Sequence, residues 1–317
     1  MSWFGGVSPD AAIEIAADAV SAAVVSGRGR EVLVQAWASE PLPAGALTPS
    51  LTAQNIADRR AVQAALSTVV ERLGTRPKRV ALVVPDLSTR VSLVRFEQVP
   101  AGRDDLEQLI RWQLKKSTPF PIEDACISWV PGMGAADGSR EFVVVQARRD
   151  AVREYEALCE ELGMHPGLVD LSTFGVINCF LAGGNLPSGD WLLVHMRSDY
   201  TSIAIMRGAD MVFFRNRAEG DGDTLADLVH QTTMYYQDRL SGQGFSRVLL
   251  GGIGRAGGDV EGARRGLEER LGIPVEPIDP TRVAMLTNRI SATSDIMARL
   301  APLVGMLLRS RDAVVAA

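Results

Sequence analysis

Two stretches decide how this chain is read: Ala11-Ala12-Ile13-Glu14-Ile15-Ala16-Ala17-Asp18-Ala19-Val20-Ser21 and Leu192-Leu193-Val194-His195-Met196-Arg197-Ser198-Asp199-Tyr200-Thr201-Ser202. Each is an apolar strand with a polar residue near its end, a short polar turn, and a second strand. One copy lies in each half of the 317 residues. Together they outline a duplicated nucleotide-binding fold. In a working version the strand ends in Asp-x-Gly followed by small hydroxyl residues. The Asp supports metal-bound water, and the Gly lets backbone N–H groups approach a phosphate. Here the Asp positions hold Glu14 and His195, and the Gly positions hold Ala16 and Arg197.

The chain is long enough for a sizeable core and for about two domains. With 46% apolar and 22% charged residues it has an ordinary globular composition. A net charge of −5 argues against a general nucleic-acid or membrane-surface binder. Cys126, Cys159 and Cys179 are widely spaced and odd in number, which disfavours a disulfide framework or a zinc site. Cys159 and Cys179 fall on apolar helical faces and read as buried thiols, which suits a reducing cytoplasm. No run approaches the roughly 18–20 apolar residues that span a bilayer, and Met1 to Gly6 lacks the basic-then-apolar order of a signal peptide. Membrane association is therefore expected through a partner, without direct insertion.

Hydrophobic periodicity gives strands across residues 10–38, then a Pro-rich connection and a helix over about 58–73 with Val62, Leu66, Val69 and Val70 on one face. Val80 to Val84 is a continuous apolar run, as in a strand covered on both faces. Residues 86–148 change character: a strand, an amphipathic helix bearing Leu106, Leu109, Ile110 and Leu114, and two strands joined by a Gly-rich hairpin. They read as a small α+β insert. A helix over 149–162, a strand at 167–171 and a helix at 172–182 lead to Gly183-Gly184-Asn185-Leu186-Pro187-Ser188-Gly189, the clearest hinge. Three strands, a helix over 222–240, a strand at 248–250, a helix at 259–271 and a short strand follow. A last helix over 293–309 is expected to pack back on the body. The pattern is α/β in two similar lobes. The expected domains are 8–184, with the insert over about 86–168, and 190–290.

The turn Gly251-Gly252-Ile253-Gly254-Arg255-Ala256-Gly257-Gly258 contains G-x-G-x-x-G at Gly252, Gly254 and Gly257, and Glu276 lies some 20 residues on. Too little chain follows for a full dinucleotide-binding domain. The turn also fits a flexible strand-to-helix connection, or the adenosine-side loop of an actin-like cleft. His165, His195 and His230 show no metal-ligand spacing. No Gly-x-Ser-x-Gly elbow or Walker lysine occurs; lysine is found only at 78, 115 and 116.

Beyond the nucleotide turns, the sequence resembles the PilM family, cytoplasmic actin-like proteins of type IV pilus assembly that are similar to the cell-division protein FtsA. The resemblance rests on Val80 to Pro85, Arg95 to Pro100, Leu106 to Gln113 and Pro119 to Asp124, where Thr118 stands in place of the family's usual Ile. It continues through Tyr155 to Gly163, Val169-Asp170 and Gly305 to Arg309. It implies a two-lobed actin-like ATPase fold with an inserted α+β subdomain in the first lobe. The family's phosphate loops align to Glu14–Ser21 and His195–Ser202. Ala16 replaces glycine, Ala17 and Ala19 replace serines, and Ser21 replaces a lysine. His195, Arg197 and Tyr200 replace Asp, Gly and a small residue. The nucleotide cleft, comprising Glu14, Ala16, Asp18, Ser21, His195, Arg197, Asp199, Gly251, Gly252 and Gly254, is thus expected to be degenerate. Arg197 could meet a phosphate, or fill the cleft by pairing with Glu14 or Asp199.

The expectation is a non-catalytic scaffold of the pilus, or related type II secretion, inner-membrane platform. Bound ATP and Mg²⁺ are disfavoured; the alternative is an actin-like ATP-binding protein with weak ATPase activity. The resemblance implies partners: the N-terminal cytoplasmic tail of a PilN-like inner-membrane protein, and other pilus platform proteins, but no nucleic acid. The tail is expected in a groove of the first domain around Phe96, Trp112, Phe120 and Ile122.

Overall fold

Two hairpins with the same register organise the two halves of this structure, a computed structural model that describes residues 9–27, 32–220, 224–253 and 259–315. In the first, β1 (Ala11–Ile15) runs antiparallel to β2 (Ala19–Ser26) and places Glu14 opposite Ser21. β3 (Leu33–Pro41) extends the meander, and after α1 (Arg59–Arg72) β4 (Arg79–Val84) lies parallel beside β1. Asp58 caps α1 by accepting from the Ala61 N–H, which satisfies one of the free donors of the first turn.

The chain then forms β5 (Thr89–Phe96), α2 (Arg103–Leu114), β6 (Ala125–Gly134) and β7 (Arg140–Arg148). The three strands make a separate antiparallel sheet in the order β5-β7-β6. α3 (Arg149–Glu160) follows, then β8 (His165–Leu171), which pairs parallel with β4, and α4 (Ser172–Ala182). β8 and the core residues of α3, among them Tyr155 and Leu158, therefore belong to the first sheet and its core, although the expected insert of 86–168 overlaps them. β4 is flanked by strands on both sides and buried on both faces, as its unbroken apolar run predicts.

The second half repeats the plan. β9 (Asp190–Met196) and β10 (Tyr200–Arg207) place His195 opposite Ser202, the same offset of seven as Glu14 and Ser21. β11 (Asp210–Ala218), α5 (Leu225–Leu240), β12 (Arg247–Gly252), α6 (Val260–Leu271) and β13 (Val275–Pro277) complete it. The order β11-β10-β9-β12-β13 matches β3-β2-β1-β4-β8 strand for strand. The short β14 (Met285–Leu286) returns to pair with β3 of the first sheet, so residues 285–286 complete the first lobe although they fall within the expected 190–290 domain. α7 (Ser294–Val315) runs past the expected end at 309.

α4 and α7 fill the space between the two large sheets, and their apolar residues join the inner faces of both in one core. The two helices meet backbone to backbone. A Cβ on Gly305 would stand 1.9 Å from the Gly175 carbonyl oxygen, so a side chain there is excluded. α1 and α3 cover the outer face of the first sheet, α5 that of the second, and α2 packs on the third sheet. The result is the two-lobed α/β architecture with an inserted small sheet expected of an actin-like chain. Among the described residues, no helix is long and apolar enough to cross a membrane.

Candidate functional site

The two hairpin turns face each other across the lobes, and their polar residues are knitted into a buried network. Glu14, at the end of β1, accepts a 2.6 Å hydrogen bond from Ser172 at the start of α4. Arg197, from the β9–β10 turn, reaches across with a buried side chain. Its Nη2 lies 3.3 Å from Glu14 Oε2 and 3.7 Å from Asp18 Oδ1. The Glu14 contact is a charge contact, since neither of its atoms has a hydrogen-bond partner. Asp18 is held in turn by Arg299 of α7 at 2.8 Å. Burial opposes the charge on Arg197, but Glu14 and Asp18 more than offset it and hold the guanidinium firmly protonated. Asp199 is pushed up by burial, with Arg197 pulling the other way. The carboxylates nearest Arg197 are thus Glu14, as one reading of the sequence had it, and Asp18, which that reading overlooked in favour of Asp199.

Next to this cluster lies a second one that the sequence did not signal. Asp86, just after β4, is fully buried. Its Oδ2 accepts from Ser202 Oγ of β10 at 2.6 Å and from the Thr173 hydroxyl of α4, and its Oδ1 accepts from the Thr173 N–H. Burial lifts its pKa to about 6 against the pull of these donors. Thr173 Oγ1 also lies 2.7 Å from His195 Nδ1. The hydroxyl gives its single proton to Asp86, so its lone pairs are left to accept the Nδ1–H of His195. That leaves His195 Nε2 bare, and Nε2 has no partner. A neutral ring follows, in accord with burial and the nearby Arg197 driving its pKa well below the usual value.

The remaining cleft residues have local duties. Ser21 shares a 2.9 Å hydrogen bond with Ser39 within the first sheet. Ala16 is buried, and its N–H donates to the Ala19 carbonyl to close the first turn. Gly252 has φ +93°, and a Cβ on it would lie 1.9 Å from the Met196 carbonyl oxygen, so its lack of a side chain serves the β9–β12 approach. A Cβ on Gly251 would stand 3.1 Å from Val176, 3.4 Å from Ile278 and 3.5 Å from His195, so the position is closely hemmed by side chains. Gly254 and Gly257 lie outside the described residues. The sheet around this turn is parallel only through β9, β12 and β13, and Glu276 is ion-paired to Arg247 at 2.6 Å. The context for a dinucleotide fingerprint is therefore lacking, and Glu276 is engaged elsewhere. Among the described residues, no cluster of His, Cys, Asp and Glu is arranged to hold a metal ion.

The residues expected to form a partner groove do not come together in one. Phe96 and Ile122 are core residues of the insert, packed with Leu106, Ile110 and Leu114, and Phe120 is half-buried against them. Trp112 is 70% exposed on the outer side of α2. The reason is that the apolar residues on the face of the insert sheet covered by α2 are claimed by that helix. Among the described residues, an apolar groove lies elsewhere. A mainly apolar cleft of about 400 Å³ runs between the insert sheet and the first lobe. Its walls are Cys126 to Gly132 of β6, Val143, Val145 and Ala147 of β7, Leu168 to Leu171 of β8, Phe174, Ile177, Asn178 and Leu181 of α4, and Met206 and Ala209 to Met211 about the β10–β11 turn. β6 and β8 each stand at the edge of their sheet.

The family model for type IV pilus assembly protein PilM matches residues 12–239. The chain belongs to the PilM family. Among solved structures it is similar to the PilM-PilN type IV pilus biogenesis complex, at 18% identity over 96% of this chain and 99% of that one, with a TM-score of 0.81. Weaker likenesses are a Bacteroides thetaiotaomicron protein of actin-like ATPase fold (12% identity, 92% and 96% covered, TM-score 0.49) and the cytoplasmic domain of EpsL, an inner-membrane component of the Vibrio cholerae type II secretion system (12% identity, 96% and 94% covered, TM-score 0.47). The PilM family model ends within α5, so it takes in both hairpin turns and every groove wall except the part from Arg309 of α7.

Proposed function

We propose that this PilM-family chain is a non-catalytic scaffold of the inner-membrane platform that assembles a type IV pilus or drives a related type II secretion system. It holds the N-terminal cytoplasmic tail of a PilN-like membrane protein in the cleft between β6, β8 and α4. The observation that carries this reading is the coincidence of two edge strands with one apolar cleft. An extended tail can hydrogen-bond along a strand edge and drop alternate apolar side chains into the walls. The complex named in the similar structure points to the same partner. The protein would sit at the cytoplasmic face of the inner membrane, held there by that tail, where it could meet other platform proteins.

The nucleotide cleft argues for the non-catalytic half of the proposal. A phosphate and its metal need an acidic group free to support Mg²⁺ and a backbone free to approach the phosphate. Glu14 is already matched by Arg197, and Ala16 and Arg197 carry side chains where the approach requires none. The residues present do not fit Mg-ATP.

The test is calorimetric titration with a synthetic peptide of the tail from the same genome, followed in parallel by the emission of Trp129, which lines the cleft. Saturable binding is expected, together with at least a tenfold loss in Val130→Asp, since Val130 lines the cleft yet is 39% exposed and its replacement should leave the fold intact. A peptide that shows no saturable binding to the unaltered chain overturns the proposal.

A further inference from the structure

The α4 wall of the cleft contains one residue that an apolar wall does not explain. Phe174, Ile177, Asn178 and Leu181 follow one another at i, i+3, i+4 and i+7, so they share a helix face, and all four line the cleft. Three are large and apolar. The fourth, Asn178, is a weak helix former in mid-helix, because its side chain competes for backbone hydrogen bonds. Its Nδ2 is buried and has no hydrogen-bond partner. A buried donor left unpaired is unfavourable. Leucine at the same position would continue the stripe.

The other polar groups of the wall are occupied or exposed. Asp170 accepts from the Leu171 N–H and pairs with Arg309. Thr89 donates to the Asp86 carbonyl oxygen, and Ser128 is exposed. Asn178 is thus the buried polar group of this wall that still has a donor to give.

We infer that Asn178 reads the main chain of the bound tail, its amide pairing with one peptide group of the occupant. This rests on the reading of the cleft as a peptide groove. A carboxamide carries a donor and an acceptor side by side, as a peptide unit does, so it matches the backbone of an extended chain whatever that chain's sequence. The flanking Phe174, Ile177 and Leu181 take the side chains on either side of that unit. The segment selected is therefore extended and apolar, with no charge at its centre, because a charged side chain would meet an apolar wall. Asn178 fixes where along the tail the apolar anchors must fall, since only one peptide group can sit at the amide.

The experiment uses the full chain and a set of tail peptides, each with one backbone amide replaced by an ester. An ester removes one N–H donor and weakens the adjoining carbonyl as an acceptor. Asn178→Leu is expected to bind the unmodified peptide about tenfold more weakly than the unaltered chain. At one position, the ester should weaken binding to the unaltered chain about tenfold and binding to Asn178→Leu less than twofold. Asn178→Ala serves as the second variant should leucine disturb α4, and melting temperatures within a few degrees of the unaltered chain establish that each variant is folded. Esters that act equally on unaltered and variant chains at every position overturn the inference, as does a variant that binds the tail as tightly as the unaltered chain. In both of those cases the groove reading survives. Failure of the unaltered chain to bind any tail peptide removes the groove reading and this inference with it.

Discussion

Arg197 of the second lobe lies 3.3 Å from Glu14 of the first, and both side chains are almost fully buried. The pair stands where the two duplicated turns converge, and it ties the two lobes together. Removing one partner strands a charge. Arg197→Met should therefore destabilise the chain by about 3–5 kcal/mol, while Glu14→Gln combined with Arg197→Met should recover most of that loss. Urea unfolding of the single and double variants measures the difference. A single variant as stable as its parent would show that the contact carries no weight.

Asp86 and His195 give the interface opposite responses to acid. Asp86 has a folded pKa of about 6 against an ordinary 3.8, so its contribution is fully present below pH 4 and is lost as pH rises through 6. His195 is depressed below its ordinary 6.5, so its contribution is present above that value and is lost as pH falls. Between about pH 4 and 6 the two slopes oppose each other. Asp86→Asn removes one and exposes the other, so its stability should fall more steeply than the parent's on going from pH 6 to pH 4. Thermal melts across that window decide it; parallel curves would refute the coupling.

Mg-ATP should leave the unaltered chain unmoved. A ligand at a hundred times its Kd stabilises the folded state by about 2.7 kcal/mol, so even a Kd near 10 μM would be visible at about 1 mM nucleotide. The expected result is no change in melting temperature and no calorimetric heat. A clear upward shift would restore the ATP-binding alternative.

Gly305 and Gly74 separate two reasons for being glycine. Gly74 has φ +67° with open space around it, so Gly74→Ala meets only backbone strain, about 1 kcal/mol. Gly305 meets the Gly175 carbonyl oxygen, and Gly305→Ala forces α4 and α7 apart. It should cost several times as much, on the order of 3 kcal/mol, as overpacked cores do. Denaturation midpoints of the two variants side by side provide the comparison.

The doubled hairpin was legible because strand alternation and a polar turn are local signals, and the matched pairs Glu14–Ser21 and His195–Ser202 confirm the register behind it. The buried Cys159 and Cys179 were legible for the same reason, and burial lifts both thiols to about 12. Asp86 was not, because a lone Asp after Val-Val-Pro looks like a turn residue until Thr173 and Ser202 arrive from distant segments. The groove was hidden more deeply. Its walls come from β6, β7, β8, α4 and the β10–β11 turn, each ordinary by itself. Phe96 and Ile122, expected in a groove for the tail that the family resemblance implies, serve the small helix-covered core of the insert instead. Asn178 gave no distinct signal, because α4 also carries Ser172 and Thr173.

The edge position of β6 also bears on how the chain behaves without its partner. A strand edge that can accept a peptide is equally a template for another copy's strand, and Cys126 to Val130 offers five residues of such edge before Pro131 interrupts the backbone donors. Overproduced alone, the chain would carry a sticky seam. Produced together with the tail, it would have that seam sealed, so solubility yield itself becomes an assay for the right companion.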